Sequence, residues 1–322
     1  FTLNATFVRI KTENTVFNFA NLVSGSAVKV TGRASGNPYQ QSSSGFDNIE
    51  LIGPGDATAT VGIEFDTAAE AGTSHTNYFG VNVHGFGKGH VFKNNAYCQQ
   101  FWGCDIWNCG VGVEMPTGYA NYGERITYFG STIFNNYTGV INNNSNGAFH
   151  LISSSLDYNG IQAIAQAGRI FIDNCHIEAS NYATPPFVTH PVNGASITIN
   201  GGWMLCTGAN TSDIFESQTT ARQGGGITVR DISVNNMGSG RWKSGAGKFT
   251  FTNPASYDTT LNPKLCSAAE NRLADGGFEQ ATVIDALITA DTAAITSRTV
   301  GANINLTTSA TSKAAAISLR VF

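Results

Sequence analysis

The chain has 322 residues, with 22 acidic against 18 basic side chains, a net charge of -4 and only 12% of its residues charged. That balance leaves no basic stripe for a nucleic-acid partner, and no apolar run reaches the length of a membrane span. Hydrophobic residues at 41% and 36 glycines suit a β-rich fold with many tight corners and argue against disorder.

Residues 1 to about 45 carry strand-like pieces at Thr15 to Ala20 and Ala27 to Thr31, then a polar loop from Ser35 to Gly45. They read as entry coils. From Phe46 to Thr76 an irregular coil includes the turn Gly53-Pro54-Gly55. Clear repeats then run from Tyr78 to about Thr252. Six stretches align without gaps: FWGCDIWN (101–108), YFGSTIFN (128–135), LISSSLDY (151–158), IDNCHIEA (172–179), INGGWMLC (199–206) and VRDISVNN (229–236). Their apolar anchors, Ile106, Ile133, Leu156, Ile177, Met204 and Val234, are 27, 23, 21, 27 and 30 residues apart. Periods of this size indicate a solenoid.

Short β-branched and aromatic strands cut by Gly and Asn, with no sustained helical periodicity, make that solenoid a parallel β-helix. The usual hand of parallel crossovers makes it right-handed, a pectate-lyase-like solenoid of about eight to ten coils. Equivalent residues of successive coils then lie about 4.8 Å apart, so a column of the alignment predicts a ladder of contacts. With the anchor inward, two flanking columns face out. One holds His84, Trp107, Phe134, Asp157, Glu178, Leu205 and Asn235; the other holds Asn82, Asp105, Thr132, Ser155, His176, Trp203 and Ser233. Carboxylates, hydroxyls, an imidazole and aromatic rings side by side compose a sugar-binding strip.

Stretches read as corner insertions at Met115 to Gly123, Asn181 to Gly194 and Thr207 to Gly225 would rim this strip. After Pro254 the pattern breaks, so residues 1–255 form the β-helix and 256–322 a small C-terminal β region. That region has alternating segments at Ala294 to Val300, Ile304 to Thr308 and Ala315 to Phe322. Exposed apolar strands there point to packing against identical chains. The start at Phe1, with no Met or signal-type segment, reads as a portion of a longer protein. The six cysteines make no paired metal-ligand motif and read as reduced small hydrophobes, with Cys104 and Cys175 in one buried column beside Ser131, Ser154 and Gly202. Reduced thiols fit folding in a reducing cytosol. No metal or cofactor is expected.

The segments GERITYFGSTIFNN (123–136), SSLDYNG (154–160), GRIFIDNCHIE (168–178) and GGWMLCTG (201–208) resemble the receptor-binding tailspikes of tailed bacteriophages. The resemblance covers about residues 1 to 255. It implies a homotrimer of right-handed parallel β-helices on the virion tail that binds, and usually cleaves, bacterial surface polysaccharide such as capsule or O-antigen. The later NRLADGGFE (271–279) resembles the opening of β-sandwich modules that follow such β-helices. Family members place their acids differently, so no site is carried over.

Asp157 and Glu178 fall in adjacent rungs of one outward column. Like charges so close raise one pKa, giving one protonated acid and one carboxylate, the pair glycoside hydrolysis needs. Glu124, after the 115–123 loop, is an alternative second acid facing Asp157 across a corner, or else a solvated partner of Arg125. Asp105, Ser155 and His176 are candidate polar substrate contacts, and Trp107, Phe134 and Trp203 candidate groove walls. Arg125 and Arg169 share one column and could clamp an acidic sugar or pair with Glu124 and Asp173. Three functions follow: an endo-acting glycosidase using Asp157 and Glu178; a polysaccharide lyase drawing its cation and base from Arg125, Arg169, His176 or Tyr158; and a noncatalytic glycan-binding adhesin.

Overall fold

A computed structural model describes residues 2–4, 9–32, 45–67, 74–180, 182–207, 212–219, 224–235, 243–245, 247–252, 255–256, 293–297 and 305–308. Among the described residues the chain is all-β and has no helix. Three ladders of parallel strands are built coil upon coil. The coil Ala148–Ile152, Ser155–Asp157 and Ile161–Ala165 gives one strand to each of the first, second and third ladders. The third ladder is a 10-stranded sheet; the first and second belong to one 17-stranded sheet. They join because the early strands Gly45–Ile52 and Asn77–His84 run through both. Long parallel sheets in this arrangement are consistent with a solenoid.

The anchor column is a physical rung: Ile106, Ile133, Leu156, Ile177, Met204 and Val234 are successive strand partners and all fully buried. Alternation along each strand puts the neighbouring residues outward. A parallel aromatic stack fills the first coils, with Tyr78 against Phe101 at 4.7 Å and Phe101 against Tyr128 at 4.5 Å between ring centroids. Later coils replace these rings with Leu151, Ile172, Ile199 and Val229.

One left-handed residue per coil separates the first ladder from the second. Asn14, Asn48, Gly80, Gly103, Gly130, Ser153, Asn174, Gly201 and Asp231 all have φ between 47° and 66°. Most L-residues lose about 1–2 kcal/mol in that conformation, which is why only Gly, Asn, Asp and Ser occur here. The next residue turns inward and is buried: Cys104, Ser131, Ser154 and Cys175. There the Ser131 hydroxyl accepts the Cys104 N–H at 3.0 Å, and Ser154 accepts that of Ser131 at 3.1 Å. The described cysteines, Cys98, Cys104, Cys109, Cys175 and Cys206, are free thiols, and Cys266 lies outside the described residues. The second corner is sealed by buried amides: Asn136 Oδ1 accepts the Cys109 N–H at 2.9 Å and Asn159 Oδ1 that of Asn136 at 3.0 Å. Their amide groups donate to the Ile106 and Ile133 carbonyls, so backbone groups left by the corner stay paired.

Two expectations require correction. Residues 181–194 and 207–225 are not plain insertions, because Phe187–Thr189 and Phe215–Ser217 are third-ladder strands within them. Three-residue strands carry almost no alternation of their own; pairing of Phe187 with Ala163 and Phe215 holds them, with both rings buried. Likewise Gly45–Ile52 and Ala59–Phe65 make the segment from 46 a regular coil. The polar loop at 35–44 lies outside the described residues. In the C-terminal region Ala293–Ser297 pairs antiparallel with Asn305–Thr308, near two of the expected strands. The third, 315–322, lies outside the described residues.

The left-handed column is testable at two rungs. A Cβ on Gly130 would meet nothing within 4 Å, so Gly130→Ala should lose about 1 kcal/mol through φ alone, and Ser153→Gly should gain a comparable amount. Opposite shifts in denaturant midpoint are expected; no shift in either variant contradicts the column.

Candidate functional site

The second-ladder register brings the two proposed acids together. Ser155, Leu156 and Asp157 pair with His176, Ile177 and Glu178. The buried Leu156 and Ile177 fix both flanking side chains outward, so Asp157 and Glu178 occupy neighbouring rungs of one face.

Asp157 is largely enclosed, with 14% of its side chain exposed. Its Oδ2 accepts a short hydrogen bond from the Ser155 hydroxyl, and its Oδ1 accepts the Glu178 backbone N–H at 3.1 Å. His176 Nδ1 lies 3.3 Å from Oδ1 and 3.2 Å from Ser155 Oγ. Burial raises the Asp157 pKa above the ordinary carboxylate range; Ser155 and His176 oppose the shift and the Glu178 charge adds to it. His176 presents the same nitrogen to Ser155 and Asp157, so these three do not form a serine–histidine–aspartate relay, which uses opposite ring nitrogens.

Tyr158 follows at the next corner. It holds φ 52° in a column otherwise made of Gly85, Asn108 and Asn135, and half of it is exposed. A bulky residue held left-handed is strained. Its N–H bonds the Glu178 carbonyl at 2.8 Å, and a hydrogen bond to the Glu178 side chain raises its phenol pKa. Tyr158 is therefore a donor to Glu178 and a poor base.

The aromatic side chains divide into two kinds. Trp107 lies between His84 at 4.3 Å and Phe134 at 5.6 Å, both nearly parallel, so both of its faces are covered. Phe134 keeps one face toward the Asp157 rung. Trp203 is tilted 43° from His176 at 5.0 Å and 40% exposed, which makes it the more open platform for a sugar ring. The strip reading also missed a second exterior stack on the first ladder, where Phe79, Trp102 and Phe129 lie nearly parallel and the Arg9 guanidinium sits 5.0 Å over Phe79. Trp102 and Phe129 precede the left-handed glycine in their aligned stretches, so this column was present in the same alignment.

The other candidates lie apart. Asp105 is on the right face, but its Oδ1 accepts the Thr132 N–H at 3.1 Å. Glu124 is exposed at the corner entering the first ladder, where its carbonyl accepts the Cys98 N–H at 2.6 Å. Asp157 ends a second-ladder strand, so Glu124 is not placed beside it. Arg169 opens the first-ladder strand Arg169–Asp173 and is exposed, as is Arg125. Among the described residues no ion pair joins Arg125 to Glu124 or Arg169 to Asp173. No cluster of three metal-ligating side chains occurs among them either.

No protein-family model and no curated protein matches the chain.

Two measurements follow. Trp203→Ala should weaken polysaccharide binding by about 1 kcal/mol with folding intact, whereas Trp107→Ala should chiefly lower stability because its ring is sandwiched. Reversed outcomes would exchange the two roles. Because the folded Asp157 pKa is raised, its contribution to stability is present below the unfolded value and lost as pH rises through the folded value. The melting temperature of Asp157→Asn relative to the unaltered protein should thus move in the variant's favour across that window; a flat difference contradicts the shift.

Proposed function

We propose that this protein is an endo-acting glycoside hydrolase that cleaves a bacterial surface polysaccharide, the tailspike of a bacteriophage built as a trimer of right-handed parallel β-helices. The observation that carries the reading is the pair Asp157 and Glu178 on adjacent rungs, one enclosed with its pKa raised and the other facing a tyrosine donor. Enclosure favours the protonated form of Asp157, suiting it as general acid and leaving the nucleophile's role to Glu178.

In this reaction Asp157 gives its proton to the glycosidic oxygen as that bond to the anomeric carbon breaks. The Glu178 carboxylate forms a bond to the same carbon and leaves a glycosyl ester. Water, deprotonated by Asp157, then attacks the anomeric carbon, releasing Glu178 and restoring the acid. Strands one rung apart give a carboxyl spacing of about 5 Å, which favours retention over the wider inverting arrangement. Ser155 and His176 hold Asp157, and Phe134 and Trp203 lie on the rungs to either side.

The lyase reading is less well supported. Its cations, Arg125 and Arg169, open or precede first-ladder strands, and Tyr158 donates to Glu178 where a lyase would need it as base. An adhesin needs the aromatic strip alone and gives no role to the raised acid.

Asp157→Asn and Glu178→Gln should each lower depolymerase activity at least a hundredfold while binding and assembly persist, measured as reducing ends released. Near-full activity in both variants would remove the pair from the mechanism. Tyr158→Phe, which keeps the ring and the strained corner but removes the hydroxyl at Glu178, should lower activity less than either acid variant. Unchanged activity would confine Tyr158 to a structural role.

A further inference from the structure

The charge on this face is unusually one-sided for a surface that binds a polymer. Between residues 126 and 221 the sequence has one Lys or Arg, Arg169, against five carboxylates, Asp157, Asp173, Glu178, Asp213 and Glu216. That stretch alone carries the -4 of the whole chain. On the outward face of the second ladder the described acids are Glu50, Asp105, Asp157 and Glu178, and no Lys or Arg accompanies them. In sequence, the stretches after His176–Ser180 and Trp203–Thr207, residues 181–186 and 208–214, contain no cation and one further acid, Asp213.

Neither Arg169 nor Arg230 relieves the imbalance; Arg230 ends its strand two rungs beyond Asp173, roughly 10 Å along the ladder. Arg169 begins its strand, whereas the corner residue Asn174 follows that strand's last residue, Asp173. Four extended residues separate Arg169 from Asp173, roughly 13 Å. The neutral polar groups near the acids are short hydroxyls and an imidazole, from Thr132, Ser155, Ser233 and His176. An acidic sugar seated here would meet carboxylates with no bidentate partner to neutralise it. Like charge opposes such a ligand, and a repulsive element of this kind is one way specificity against a related ligand is built.

We propose that the carboxylate site takes an uncharged glycan segment, of hexoses or N-acetylated amino sugars, and excludes uronic, sialic and phosphorylated residues. This rests on the glycan-cleaving reading above and narrows its substrate class.

The test passes the full chain over neutral and acidic bacterial polysaccharides, each uronate- or sialate-containing one paired with its carboxyl-reduced form. Binding is read by affinity electrophoresis and cleavage by chain length. The expected substrate is neutral, and carboxyl reduction of an acidic polymer with a recognised backbone strengthens binding tenfold or more. An acidic polysaccharide that is bound or cleaved, and that loses tenfold or more on carboxyl reduction, overturns the inference. Neutral polymers bound without shortening support the inference while contradicting hydrolysis. Binding to no member overturns both. A variant gives an independent reading: Thr132→Lys puts a cation one rung from Ser155 on the outward face. The ratio of acidic to neutral binding should rise at least tenfold, and an unchanged ratio contradicts the electrostatic origin of the selectivity.

Discussion

Each coil reverses the in–out sense of its side chains at one left-handed residue, and the placement of everything on the outer face depends on that residue. In Phe101-Trp102-Gly103-Cys104-Asp105, Trp102 points out, Gly103 absorbs the positive φ, Cys104 turns in and Asp105 points out again. Without that residue the alternation would continue through the corner, and the second-ladder acids would face the core. A buried carboxylate pair there would be costly. The same geometry at the next corner admits Asn at 108 and 135 but holds Tyr158 under strain beside Glu178. Strain of that kind persists where surrounding structure fixes it, and here it sits next to the proposed chemistry.

The outer-face chemistry is a contest between burial and neighbours. Asp157 accepts from Ser155 and from the Glu178 N–H and lies near His176, each of which favours its charged form, yet enclosure outweighs them. Glu178 gains a phenol donor instead. Two carboxylates of the same column thus receive different environments from residues one or two positions away in sequence. That asymmetry suits the proposed acid–base roles, and it arises from side chains that the ladder geometry has already aligned.

Much of this was legible as text because a parallel ladder turns alignment columns into contacts. The anchor rungs and the Asp157–Glu178 pairing match the strand register residue for residue. The left-handed column was also visible, as the third letters Gly, Gly, Ser, Asn, Gly and Asp of the six stretches, but its meaning depends on φ. What remained hidden has physical causes. Phe187–Thr189 and Phe215–Ser217 are too short for alternation to show, and long-range pairing holds them. Ring orientation is invisible in a column: Trp107 and Trp203 look alike in sequence, yet one is sandwiched and the other open. Nor could spacing tell that Glu124, at the corner entering the first ladder, stands away from Asp157 on the second.

The central claim is that the second-ladder carboxylates hydrolyse a glycosidic bond. Mass spectrometry of the products formed in oxygen-18 water tests it most directly. The account predicts shortened chains with one heavy oxygen at each new reducing end and no unsaturated sugar. Shortened chains that end in an unsaturated, unlabelled residue would contradict it.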